Sequence, residues 1–278
     1  MNPLLRAALA LAVLAVPGPV MAADDISALR VCADPNNLPF SNEAGEGFEN
    51  AIARLLAEDM AIPLEYEWWP QERGFLRKTL KAGKCDVVMG LPAHYEMAET
   101  TQPYYRSSYV FVYRTESGLD LSSLEDPRLR TLRIGVTLIG DDGVNTPPAH
   151  ALGDLGIADN VTGYMVYGDS EDPERQAEIV KAVADGRLDT AVIWGPTAGY
   201  FAARSKTPLT VRPVADAAVF RPLEFEFSIA MGVRPGDDRL RDALNAALDR
   251  NAGRIAAILK DYGVPLGDDG DTSKEVRK

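Results

Sequence analysis

Histidine and cysteine are nearly absent, with two of each in 278 residues. His94 and His150 stand alone, and neither has a second ligand at metal-site spacing, so no zinc-type centre is expected. No G-x-S-x-G nucleophile motif and no glycine-rich phosphate loop occurs, and isolated Asp pairs do not make a hydrolase. Basic residues are in deficit, 29 Lys and Arg against 41 Asp and Glu, a formal net charge of −12. That balance argues against nucleic acid and anionic membrane as partners, since both select surplus Lys and Arg, and it leaves a basic protein surface open.

Long apolar runs are lacking too. The longest, Ala7 to Val16, follows Arg6 and is interrupted at Pro17, Gly18 and Pro19, too short to span a bilayer. With Val20, Met21 and Ala22 it reads as a signal peptide over residues 1–22. The mature chain is then expected in the periplasm, without membrane insertion, and loss of Arg6 takes its charge to −13. Export bears on Cys32 and Cys85. In an oxidising compartment a Cys32–Cys85 disulfide is expected, with two buried, unpaired thiols as the alternative. The two cysteines lie at opposite strand ends, which strains that pairing.

A repeated grammar is what the chain does have. LRKTLKAGKCDVVMG at 76–90 is a helix ending at Gly83, then Asp86 opening the buried run Val87, Val88, Met89. IVKAVADGRLDTAVIWG at 179–195 repeats it with Gly186, Asp189 and the run Ala191, Val192, Ile193. Each is an αβ unit whose glycine suits the helix end and whose apolar run suits a strand covered on both faces. LRVCA at 29–33 and LRIGVTL at 132–138 are matching opening strands. A helix is expected over 47–60, a strand over 64–69 and a helix over 73–81, giving mostly parallel sheets with right-handed crossovers.

YRSSYVFVYR at 105–114 and PLEFEFSIAMGVR at 222–234 alternate like strands and serve as two crossings between lobes, a hinge. Two helical stretches follow the second. The expected organisation is α/β and two-lobed: residues 23–112 with 217–266, residues 113–216, and a flexible tail at 267–278. The tail's DDGD lacks the alternating ligands and distal Glu of a calcium loop.

Ligands of open parallel sheets sit beyond the carboxyl ends of the strands. That rule selects 34–40, 69–71, 90–94, 137–143, 167–170 and 194–197 as a cleft, polar with aromatic walls, although turns share this composition. The candidate contacts are Asp34, Asn36, Asn37, Phe40, Trp69, Gln71, Leu91, Tyr95, Thr137, Asp141, Tyr167 and Trp194. Trp68 and Trp69 point to opposite faces, and Trp69, beside Pro70, is the one expected at the cleft.

These features resemble a type 2 periplasmic solute-binding protein. VCADPNNLPFSN at 31–42, GEGFEN at 45–50, WWPQERGF at 68–75, KCDVVMGLP at 84–92 and TTQPYYRSSYVFVYR at 100–114 resemble, in order, the MxaJ/XoxJ family. These are solute-binding-like proteins associated with quinoprotein methanol dehydrogenases. The resemblance implies a non-catalytic accessory protein with no cofactor of its own, whose partner is a PQQ-dependent methanol dehydrogenase that it helps assemble or activate. The family includes forms linked to calcium-dependent and lanthanide-dependent dehydrogenases, and the reading leans to the latter. Amino-acid-binding relatives carry an Arg shortly before the motif matched by Gln102, Pro103 and Tyr104, where it pairs with the ligand carboxylate. Here Glu96 is followed by Met97, so an α-amino acid ligand is disfavoured. The competing expectation is a transport receptor for another small polar solute.

Overall fold

A computed structural model describes residues 26–139, 145–165, 172 and 175–267. The expected signal peptide, Asp141, Tyr167 and the tail beyond Gly267 lie outside the described residues. The first lobe opens with β1 (Leu29–Ala33), the short ladder β2 (Asn36–Asn37) and β3 (Ser41–Asn42), and α1 (Phe48–Asp59). It continues through β4 (Leu64–Trp68), the one-turn α2 (Phe75–Lys78), β5 (Val87–Pro92) and β6 (Glu99–Thr100). β7 (Tyr105–Arg114) leads into the second lobe, which holds β8 (Ile134–Leu138), α3 (Pro147–Asp154) and β9 (Val161–Met165). Its remaining elements are α4 (Glu178–Ala184), β10 (Thr190–Trp194), α5 (Gly195–Arg204) and β11 (Leu209–Pro213). β12 (Glu226–Val233) returns, and α6 (Asp238–Asp261) packs on α1.

The strands run in the order β4-β1-β5-β12-β7-β10-β8-β9, with β6 on β12 and β11 on β7. β4, β1 and β5 are parallel, as are β10, β8 and β9, while β7 and β12 pair antiparallel with them and with each other. β7 is divided between the lobes: Tyr105 to Ser108 pair with β12, and Tyr109 to Tyr113 pair with β10. The two crossing strands touch from Glu226 opposite Ser108 to Ile229 opposite Tyr105, where a binding-protein hinge belongs.

Strand alternation gives each lobe two apolar layers. Val31, Val87 and Met89 pack with Phe48, Ile52 and Leu56 of α1 and Leu244, Leu248 and Leu259 of α6. Cys32 and Val88 face the other way, with Phe75, Leu76, Leu80 and Cys85. In the second lobe Ile134, Val136 and Val192 face one layer, and Ala191 and Ile193 the other. Full burial of one such Leu or Ile contributes about 2 kcal/mol. The α1 start is fixed by Asn50, whose Oδ1 accepts from the Gly47 and Asn42 amides at 3.1 Å each. The two expected C-terminal helical stretches form one helix, α6: Leu244, Leu248 and Ile255 on the core outweigh the low helix propensity of Asn251 and Gly253.

The Cys32–Cys85 disulfide is formed. Cys32 stands in register with Val88, yet its Cα is 5.5 Å from that of Cys85, because the chain ahead of β5 folds over the face to which Cys32 points. Asp86 then clasps three strands. Its amide donates to Arg30 O at 2.8 Å, and its carboxylate accepts from Arg30 Nε at 2.6 Å and Arg234 at 2.7 Å. Asp189 does the same in the second lobe, with its amide on Arg133 O at 2.9 Å and its carboxylate accepting from Arg133 at 2.7 Å. Arg234 also donates to Cys85 O at 2.5 Å and Arg114 to Leu188 O at 3.0 Å, so the repeat extends to the residue before each Asp. Among the described residues no helix is long and apolar enough to cross a membrane.

Candidate binding cleft

The carboxyl ends of the parallel strands in both lobes converge on a cavity of about 350 Å³. Lobe one contributes Asp34, Asn37, Phe40, Glu49 and Gln71, and lobe two contributes Thr137, Thr146, Gln176, Trp194 and Thr197. Tyr105 and Tyr109 of β7 and Phe227 and Ile229 of β12 enter from the crossing strands. Aromatic rings meet edge to face along the wall, Tyr109 on Trp194 at 5.4 Å and Trp194 on Phe227 at 5.9 Å between centroids.

The polar loop after β1 is organised by Asp34. Its carboxylate accepts from the Asn36 amide at 2.8 Å and from the Gln71 amide at 2.6 Å, tying the loops that follow β1 and β4. Asn37 Nδ2 then donates to Gln71 Oε1 at 2.9 Å. On the opposite side Thr146 Oγ1 donates to Thr137 O at 2.7 Å, joining the end of β8 to the start of α3.

Glu49 is different. It lies in the first turn of α1, is 9% exposed, and its carboxyl has no hydrogen-bond or ionic partner among the described residues. A Cβ at Gly90 would stand 2.3 Å from Glu49 Oε1, so the carboxyl rests in space that only glycine leaves. A helix N-terminus favours the ionised form. Burial outweighs it and pushes the carboxyl up to about 8.

Of the residues singled out from sequence, Asp34, Asn37, Phe40, Gln71, Thr137 and Trp194 line the cavity. Asp141 and Tyr167 fall outside the described residues. Asn36, Trp69, Leu91 and Tyr95 are not in its wall. Asn36 lies in the β2–β3 ladder. Trp69 continues the ladder to Ala33 through its amide, packs on the disulfide layer and is covered by the Lys84 ammonium 4.1 Å from its ring centroid. Leu91 joins that layer because Gly90, at φ +70°, breaks the alternation of β5. Tyr95 is 37% exposed beyond the strand.

Sequence reasoning misses Glu49, Tyr105, Tyr109 and Phe227. Glu49 had a legible signal, a charge three residues before Ile52 and four before Ala53 on the apolar stripe of α1. The crossing-strand aromatics have none, because which faces of β7 and β12 look into the cleft depends on how the two strands pair.

Among the described residues no group of His, Cys, Asp or Glu is placed to hold a metal ion, and no Lys, Arg or His lines the cavity. Arg106 is engaged with Glu226 at 2.7 Å on the outside of the crossing strands. A solute carboxylate in this cavity would therefore meet no cationic side chain among the described lining residues.

Two α/β lobes, two antiparallel crossings and a cleft at the carboxyl strand ends define a type 2 periplasmic binding-protein fold. Residues 29–265 match the bacterial extracellular solute-binding proteins, family 3. The chain is 36% identical over 253 residues to Protein MoxJ of Methylorubrum extorquens, covering 87% of this chain and 82% of that one. The crystal structure of the periplasmic binding protein XoxJ from Methylobacterium extorquens AM1 is 35% identical with a TM-score of 0.71, over 86% of this chain and 99% of that one. MxaJ from Methlophaga aminisulfidivorans MPT is 28% identical with a TM-score of 0.75, over 86% and 100%. The chain belongs to the bacterial extracellular solute-binding proteins, family 3, and within that family it is similar to the proteins named MoxJ, MxaJ and XoxJ.

Proposed function

We propose that this chain is a periplasmic, non-catalytic accessory protein that binds a PQQ-dependent methanol dehydrogenase and helps assemble or activate it. The observation that carries the reading is a binding-protein cleft whose described lining residues include no basic group for a solute carboxylate, in a chain similar to MoxJ, MxaJ and XoxJ. Recognition runs through the cleft rim, from the loops fixed by Asp34 and Gln71 on one side and Thr137 and Thr146 on the other. The acidic chain suits a basic partner surface, which quickens association more than it deepens affinity. Crosslinking of the purified protein with the dehydrogenase is expected to place contacts on the rim. Absence of any complex overturns the reading, and crosslinks confined to the backs of the lobes keep the partner but overturn the rim.

A second reading, a transport receptor for a small polar solute other than an α-amino acid, is favoured by Glu49, which lies in the cavity wall with no partner among the described residues. Tight binding of one solute together with failure to capture the dehydrogenase would establish it instead.

A further inference from the structure

We propose that the cavity seats an alkylammonium group against Glu49, carried by a free amine or by the lysine side chain of a segment docked in the cleft. Among the described lining residues two carboxylates face the cavity and no cation does. Both Asp34 oxygens already accept backbone amides, at 2.8 and 2.6 Å, which leaves Glu49 with acceptor capacity that no described residue uses. A buried carboxyl without a partner costs folding free energy unless it is neutral or a cation reaches it. The rest of the wall suits the same guest: Phe40, Tyr105, Tyr109, Trp194 and Phe227 offer apolar contact to an alkyl chain and ring faces to an ammonium. An amino-acid zwitterion would satisfy Glu49 and leave its own carboxylate unpaired, so the guest is an amine that carries no free carboxylate.

The groups around Glu49 do not compete for this role. Tyr66 on β4 and Tyr104 and Tyr105 at β7 feel its charge, and burial first, then Glu49, holds the hydroxyls of Tyr104 and Tyr105 far above the usual phenol range. All three stay neutral when an amine enters. Glu49 alone ionises, so binding releases a proton near neutral pH.

The assignment rests on the reading that the cleft is the binding site, but its test needs no dehydrogenase. Calorimetry on the full mature chain would compare butylammonium with butanol, and Nα-acetyl-lysine methylamide with the norleucine analogue. In each pair the ammonium probe is expected to bind at least tenfold more tightly, with proton uptake by the buffer. Glu49→Gln is expected to erase that preference, whereas Glu46→Gln, at an exposed position of the preceding loop, keeps it. Butylammonium binding more tightly than the blocked lysine supports a free amine, and the reverse supports a side chain. Equal binding of charged and neutral probes, an unchanged preference in Glu49→Gln, or no saturable binding of either ammonium probe overturns the assignment.

Discussion

The two lobes use one bracket and cover it differently. Asp86 with Arg30 and Arg234, and Asp189 with Arg133 and Arg114, close the same three-strand junction. Beside them, Cys32 and Cys85 hold the positions taken by Gly135 and Leu188 in the second lobe, where a Cβ on Gly135 would stand 2.6 Å from Leu188 Cδ1. The layer over Gly135 is built by α4 and α5, whereas among the described residues the layer over Cys32 draws on a single helix, the one-turn α2. A packed glycine–leucine contact suffices under the thick cover, and the thin cover has a covalent link in its place. A second departure lies at the first helix of each lobe, where the second helical residue is Glu49 in α1 and Pro148 in α3. Of these two residues Glu49 lines the cavity and Pro148 does not.

The largest effect should come from breaking the first departure. Cys32→Ala with Cys85→Ala opens a link spanning 53 residues of sequence, and the lost restraint on the unfolded chain is expected to cost about 4 kcal/mol. Grafting the second-lobe solution, Cys32→Gly with Cys85→Leu, should return about 1 to 2 kcal/mol by refilling the layer. Urea unfolding of the three proteins checks the order. A grafted variant no more stable than the double alanine would show that the two positions are not equivalent.

Glu49→Gln should act next, and in the stabilising direction. Unfolded, the carboxyl titrates near 4.5; folded, near 8. Below pH 4.5 it is protonated in both states and contributes no difference. As pH rises through that window only the unfolded chain ionises, so the wild type loses stability until the folded carboxyl ionises too. The variant is expected to be more stable by roughly 3 kcal/mol at pH 7 and by little at pH 4. Thermal unfolding between those pH values measures it. The corresponding change in the second lobe, Pro148→Gln, has no carboxyl to remove and should show no such pH dependence.

The repeat that makes this comparison possible was legible in the sequence, because GKCD and GRLD mark a helix end, a turn and a strand start by local chemistry. The disulfide follows from compartment and cysteine count. What one dimension did not carry was direction. Beside Pro70, Trp69 reads as a cleft residue, but the sheet ladder turns it to the disulfide layer. Leu91 changed face because one glycine at positive φ shifts the alternation. Tyr105, Tyr109 and Phe227 reach the cavity through pairings made between segments more than 80 residues apart. Faces set by long-range register are invisible to periodicity, whereas turns and caps are not.

The brackets themselves give the smallest and most symmetrical test. Burial pushes the Asp86 carboxyl up, but Arg30 and Arg234 outweigh it and hold it below its ordinary 3.8; Asp189 is lowered first by its hydrogen bond to Arg133. Both contributions are therefore complete above about pH 4 and fade as acid protonates the folded carboxylates. Asp86 has a side chain 13% exposed and Asp189 one 22% exposed, so solvent screens the second bracket more. Asp86→Asn is expected to cost about 2 kcal/mol at pH 7 and Asp189→Asn about 1 kcal/mol. Each variant should flatten the acid limb of stability in proportion. Because the brackets share no partner, the double variant should be additive in urea unfolding. A double variant much less stable than the sum would mean that the two junctions communicate through β7 and β12, whose pairing joins the lobes at Glu226 to Ile229.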